Sequence, residues 1–198
     1  MVNTRGRQQN NIINDNSFQL LAKAENSAID IAKYLLSLDI KNAQGLREYF
    51  TLRTISLGEE IESLPIEGNF RLNKILHMCQ VFHCVKYGKP LFKDDMEAYK
   101  HGAIIYRVRM NFIQLWNLSP SDLITNISAK TQDFVRLVYN YFRNNYEGDN
   151  EALRSFSHQD PAWHKGLEQE GGLMPLNDEL ISYYKKFFYD TLNEIKEN

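Results

Sequence analysis

Long apolar runs are missing from this sequence. The longest unbroken one is "AIIY", Ala103 to Tyr106, far below the roughly 20 residues that a membrane-spanning helix requires. The first residues, "MVNTRGRQQNNIINDNSF", hold no apolar segment of the kind a secretory leader needs. Excess charge of one sign is missing too. The 23 basic and 25 acidic residues are mixed along the chain and leave a net charge of −2. That balance sets up no field for nucleic acid or an anionic membrane, so neither is expected as a partner and recognition must rest on shape. Cysteine is scarce: Cys79 and Cys84 are the two in 198 residues. Their spacing on a predicted helix points the side chains in different directions, so no disulfide is expected and a reducing, cytoplasmic setting fits.

Catalytic signatures are also absent. The sequence contains no Gly-x-Gly-x-x-Gly, no phosphate loop, no His-Glu-x-x-His and no Gly-x-Ser-x-Gly. The carboxylates Glu59, Glu60 and Glu62 read as a solvated face. An enzyme is therefore not the first expectation, and no cofactor is called for.

What is present is helical periodicity. Residues 1–16, rich in Asn, Gln and Arg, are expected to form a flexible tail because they cannot repay the entropy of ordering. Residues 17–198 are expected to form a single all-α, multi-helix domain. "NSAIDIAKYLLSL" shows apolar residues at three- and four-residue intervals. Residues 42–70 are less regular and could hold one or two short helices before Pro65 and Gly68 interrupt them. A helix is then predicted from about Phe70 to Tyr87, stopped by Gly88 as a left-handed cap with Pro90 beyond. "GAIIYRVRMNFIQLW" and "SAKTQDFVRLVYNYFRNNY" carry helical spacing, and Gly148 closes the second. Short helices are predicted from Asp149 or Asn150 and from Pro161. A last helix, about Asn177 to Ile195, should bury Leu180, Tyr184, Phe187, Phe188 and Leu192. No alternating strand pattern stands out.

The densest group of chemically able side chains is His77, Cys79, His83 and Cys84. At 100° per residue Cys79 and His83 fall on one helix face and His77 and Cys84 on another. A structural zinc site needs four ligands, and no second paired motif exists, so no metal is expected. The alternative is a buried thiol at Cys79 and a core-facing His83 with a hydrogen-bond partner.

"LNKILHMCQVFHCVKYGKPLF" followed by "DDMEAYKHGAII" resembles the signature of the Panacea antitoxin domain, a family also met as SocA-like or GepA-like phage-associated proteins. Leu72, Lys74, Ile75 and Leu76 match its Leu-x-Lys-Leu-Leu helix, and Gln80 and His83 the polar residues of the helix's second half. Gly88, Pro90, Leu91 and Phe92 match the Gly-x-Pro-Leu-Phe exit, and Glu97, Ala98, Tyr99 and Gly102 the Glu-Ala-aromatic-x-x-Gly entry to the next helix. "AIDIAKYLL" is similar to the family's opening helix and "LRSFSHQDPAWHKG" to its Ser/Thr-His and Trp segment, so the resemblance covers most of residues 27–190. Ala103 and Tyr106 stand where the family commonly has Pro, and 42–70 looks like an insertion.

The resemblance implies an antitoxin that binds and neutralises a cognate protein toxin, encoded by a neighbouring gene, with no enzymatic activity of its own. It also suggests a second reading, a proteolytic adaptor that delivers the toxin to an ATP-dependent protease. A third reading is an enzyme of unrecognised class using His83, Cys79 or His158. For toxin binding the candidates are Tyr99, His101, Arg107 and Arg109, since Arg beside an aromatic is a common interface anchor, with an ordinary polar helix face as the alternative. His158 and Trp163 either line a recess for a toxin segment or dock their helix on the core. Lys74 is expected to pack its stem and reach solvent or an acidic partner with its ammonium.

Overall fold

The computed structural model describes residues 20–39, 47, 49–50, 64–168 and 172–197. The tail expected at 1–16 and most of the irregular 42–70 segment lie outside them. The fold is organised around one helix. Helix α2, Leu64–Tyr87, keeps every side chain from Arg71 to Val85 buried, polar ones included. A helix covered on all sides needs neighbours all round. Those packed directly on it include α1 (Ala28–Leu38), α5 (Ala129–Asn145), α6 (Asn150–Ser157), α8 (Asp178–Phe187) and α9 (Tyr189–Glu197). Phe82, in the second half of α2, sits with its ring centroid 6.2 Å from Phe142, 6.4 Å from Phe156 and 5.8 Å from Phe188, joining α5, α6 and the α8–α9 junction in one aromatic cluster. Each such ring stabilises the fold by about 1.5–3 kcal/mol through burial alone.

Helix α2 begins at Leu64, not near Phe70. Pro65 falls in its first turn, where a missing amide proton leaves no hydrogen bond unmade, so neither Pro65 nor Gly68 interrupts it. Its end is as the sequence indicates: Gly88 has φ +68° and donates its N–H to Cys84 O at 2.9 Å. Five other starts follow cap chemistry. Ser27, Ser128, Asp149, Asp160 and Asn177 each accept a backbone N–H in the first turn of α1, α5, α6, α7 (Pro161–Leu167) and α8.

Three expectations are corrected. The stretch after Pro90 contains a small antiparallel hairpin, β1 (Glu97–Tyr99) and β2 (Gly102–Ile104), pairing Glu97 with Ile104 and Tyr99 with Gly102. Three-residue strands are too short to show a period of two. Helix therefore starts only at Tyr106, as α3 (Tyr106–Met110) and α4 (Phe112–Asn117), which share Asn111 as a cap between them. Finally, the single last helix is two, α8 and α9, parted at Phe188. Phe188 turns inward there, which leaves Phe187 exposed instead of buried. Among the described residues the architecture is otherwise helical, and no helix is long and apolar enough to cross a membrane.

Candidate functional site

The polar residues of α2 recur along it at Asn73, Lys74, His77, Gln80 and His83, and each binds a different part of the chain that follows. Asn73 Oδ1 accepts the Ile105 N–H at 2.9 Å, fixing the exit from β2. Gln80 Oε1 accepts the N–H groups of Leu91 and Phe92 at 2.7 and 3.1 Å, and its Nε2 donates to Phe92 O at 3.1 Å. His83 Nδ1 lies 2.7 Å from Lys89 O. A buried backbone segment must find partners for its N–H and C=O groups, and here the central helix supplies them. His83 and Cys79 are both buried. Cys79 and Cys84 are unpaired, and burial raises both thiols above their ordinary pKa, Cys84 to about 12. Neither is poised as a thiolate. Among the described residues no three His, Cys, Asp or Glu side chains gather to hold a metal.

Lys74 overturns its expectation. It is buried, not solvated, with Nζ donating to His101 O and lying 5.1 Å from the Phe70 ring centroid. Burial first, then the nearby Arg154, lowers its pKa to about 7. The space it fills exists because Gly102 has no side chain: a Cβ there would run into Lys74 Nζ, and φ +117° at Gly102 disfavours other residues besides. His158 closes the same spot, stacked on Trp163 with centroids 3.8 Å apart and planes 9° from parallel. Trp163 is buried and donates Nε1–H to Tyr99 O at 3.0 Å. Burial pulls His158 down to about 4, helped by Lys74 and Arg154, so its imidazole is neutral at pH 7.

Sequence reading missed the pair next to this cluster. His77 Nε2 lies 2.6 Å from Asp160 Oδ2, both side chains fully buried. Asp160 Oδ1 accepts the Tyr184 hydroxyl at 2.7 Å and the Ala162 N–H at 2.7 Å. One carboxylate thus caps α7 and ties α2 to α8. Burial and that carboxylate hold the Tyr184 hydroxyl well above its usual pKa. The only sequence signal was an Asp before a Pro, which reads as a cap and nothing more.

Above this base the hairpin and α3–α4 form the surface. Of the expected site residues, Tyr99 and Arg109 come together there; the His101 ring instead lies 3.3 Å from Arg154 of α6, and His158 and Trp163 stack against each other beneath. Arg109 sits over the Tyr99 ring at 5.5 Å, and Tyr99 donates its hydroxyl to Glu97 at 3.0 Å. Arg107 reaches Asp94 at 3.7 Å, and Asp94 in turn accepts the Ala28 N–H at the start of α1 at 2.7 Å. Val108, Phe112, Leu115 and Trp116 turn inward, so the outward positions are Tyr106, Met110 and Ile113, which are 54%, 62% and 57% exposed. Spaced by four and three residues, they form one apolar stripe beside two guanidinium groups. Tyr106 stands at the first position of α3, the position at which proline is tolerated, and so adds an exposed aromatic where the related pattern has an imino acid.

Comparison with curated proteins and with solved structures finds no match for the chain. Residues 72–164, which run from the body of α2 through the hairpin and α3–α4 into α7, match the family model described as Antitoxin SocA-like, Panacea domain, and bear out over that span the resemblance read from the motifs.

Proposed function

We propose that this chain is an antitoxin that neutralises a cognate protein toxin by direct binding through the surface of α3 and α4. The observation that supports it best is the stripe of Tyr106, Met110 and Ile113, three large apolar side chains left over half exposed next to Arg107, Arg109 and Tyr99. Water-exposed apolar side chains at helical spacing with flanking arginines have the composition of a protein-binding patch. The family match suggests an antitoxin and hence a protein partner. The buried, unionised thiols argue against catalysis by Cys79.

The test is rescue from toxicity by co-expression with the product of the neighbouring gene. Met110→Asp and Arg109→Glu should each weaken the complex by about 2 kcal/mol or more if they are anchors, against about 0.5 kcal/mol or less for an ordinary surface change. Arg107→Glu is less clean, because it also places a carboxylate against Asp94 at the α1 cap. Circular dichroism separates lost binding from lost fold. Full rescue by both folded variants would move the interface elsewhere, and rescue that disappears in cells without ATP-dependent proteases would replace direct neutralisation with adaptor-mediated delivery.

A further inference from the structure

A second feature lies on the other side of the motif loop. Between the end of α2, the 88–91 loop and the start of α5 is a cleft of about 170 Å³ lined by Glu25, Asn26, His83, Tyr87, Lys89, Pro90, Leu91, Ser128, Lys130 and Thr131. His83 is 7% exposed and lines it. Its Nδ1 faces Lys89 O at 2.7 Å. A carbonyl oxygen can only accept, so Nδ1 carries the proton and Nε2 holds the lone pair. Burial keeps the ring neutral, with its pKa lowered to about 4. Nε2 makes no hydrogen bond among the described residues. The cleft therefore contains a fixed, unused acceptor in a largely buried wall.

The charges around it are of the opposite character. Lys130 Nζ lies 4.6 Å and Lys86 Nζ 5.3 Å from the Tyr87 ring centroid, and neither has a carboxylate partner among the described residues. Lys89 is paired with Glu25 at 3.1 Å, but both side chains are well exposed, which makes that pair weak and exchangeable. Two cations, Lys89 and Lys130, thus line the cleft with one carboxylate, Glu25, and Lys86 lies nearby against the Tyr87 ring. Tyr87, Pro90 and Leu91 add an apolar wall.

We infer that this cleft receives an acidic peptide segment of a partner protein, whose carboxylates meet Lys89 and Lys130 while one of its backbone N–H groups donates to His83 Nε2. This rests on the reading that the partner is a protein. A peptide supplies an N–H donor and an anion at adjacent positions, which is what a lone pair set among ammonium groups asks of a ligand. The phosphodiester of a nucleic acid supplies the charge but has no N–H beside it, its donors being on the bases. The same loop connects the two surfaces: Lys89 borders the cleft, and a few residues later Asp94 is held by Arg107 beside the α3–α4 stripe.

The experiment uses the full chain, labelled with ¹⁵N, and an N-acetylated, C-amidated octapeptide of glutamate as the probe. Titration should shift the His83 Nε2 resonance and give saturable binding. The double variant Lys89→Glu/Lys130→Glu, altered at side chains outside the core, should bind at least tenfold more weakly with an unchanged circular dichroism spectrum. A backbone N-methylated version of the probe should lose the His83 shift. No binding at millimolar peptide, binding without a His83 shift, equal binding by the double variant, or tighter binding of an oligonucleotide of the same length would each overturn the inference. Met110→Asp in the rescue assay leaves the cleft intact, so failure of the toxin-binding reading and failure of this one give separate results.

Discussion

Lys74 carries an amine inside the protein with a backbone carbonyl as its hydrogen-bond partner, and stability should report it. Its pKa is about 7 in the folded chain against an ordinary 10.5. Between those values the unfolded chain binds more protons than the folded one, so stability rises with pH. Near pH 9 the opposite effect begins, as unfolded thiols ionise while Cys79 and Cys84 remain protonated in the core. Urea denaturation should therefore show stability increasing from about pH 7 toward pH 9, and Lys74→Met should flatten that slope; a slope kept in the variant would assign it to another group. The His77–Asp160 pair gives a second expectation. Asp160→Ala strands a buried imidazole and uncaps α7, so a loss of about 3–5 kcal/mol is expected in the same measurement. Neither environment was legible in the sequence. His77 and Asp160 are 83 residues apart, and the partner of Lys74 is a main-chain oxygen 27 residues away, so helical spacing says nothing about either. What spacing did show for Cys79 and His83 was that they lie inward, because a 3.6-residue period measures facing and not partnership.

Elements were legible where the ends carry their own chemistry. Asp149, Pro161, Asn177 and Gly88 mark helix termini with side-chain or φ requirements that any neighbour would preserve, and all of them stand at ends in the structure. Asn177 accepts the Leu180 N–H at 2.8 Å, and Asn177→Ala should cost about 1 kcal/mol, seen as a shift in the urea midpoint without a change in slope. Errors came where a terminus depends on tertiary partners. The hairpin at 97–104 exists because Gly102 admits Lys74 and because Ala98 N–H and Met96 O are bound by Gly172 O and Met174 N–H, far along the chain. The break at Phe188 serves the aromatic cluster around Phe82. Local periodicity in "GAIIYRVRM" favoured helix, and contacts with distant backbone decided for strand.

At the scale of the whole molecule, the central helix itself offers a partner little. Helix α2 spends its polar side chains inward on the loop, the hairpin and α7, and the two surfaces proposed for binding, α3–α4 and the cleft beside His83, lie on the elements it holds in place. Of the candidate site residues, Tyr99 and Arg109 meet, a pairing that their closeness in sequence made legible, whereas His101 and Arg107 pair with Arg154 and Asp94. The stripe of Tyr106, Met110 and Ile113 was not singled out, because exposure depends on which face of a short helix finds the core. If neutralisation proceeds by direct binding, protection in a co-expression assay should follow antitoxin dose stoichiometrically and persist in hosts lacking ATP-dependent proteases.

The enclosure of α2 also has a bearing on synthesis. Its cover includes Tyr184, Phe188, Leu192 and Ile195, on α8, α9 and the turn between them, about 100 residues after α2. While the ribosome is still making α8, the helix that organises the fold has finished emerging but lies partly bare, with His77 and Asp160 not yet sealed by Tyr184. Cooperative structure built on such distant contacts forms late. The nascent chain therefore passes through a period of exposure to chaperones and proteases until α8 and α9 have packed on α2.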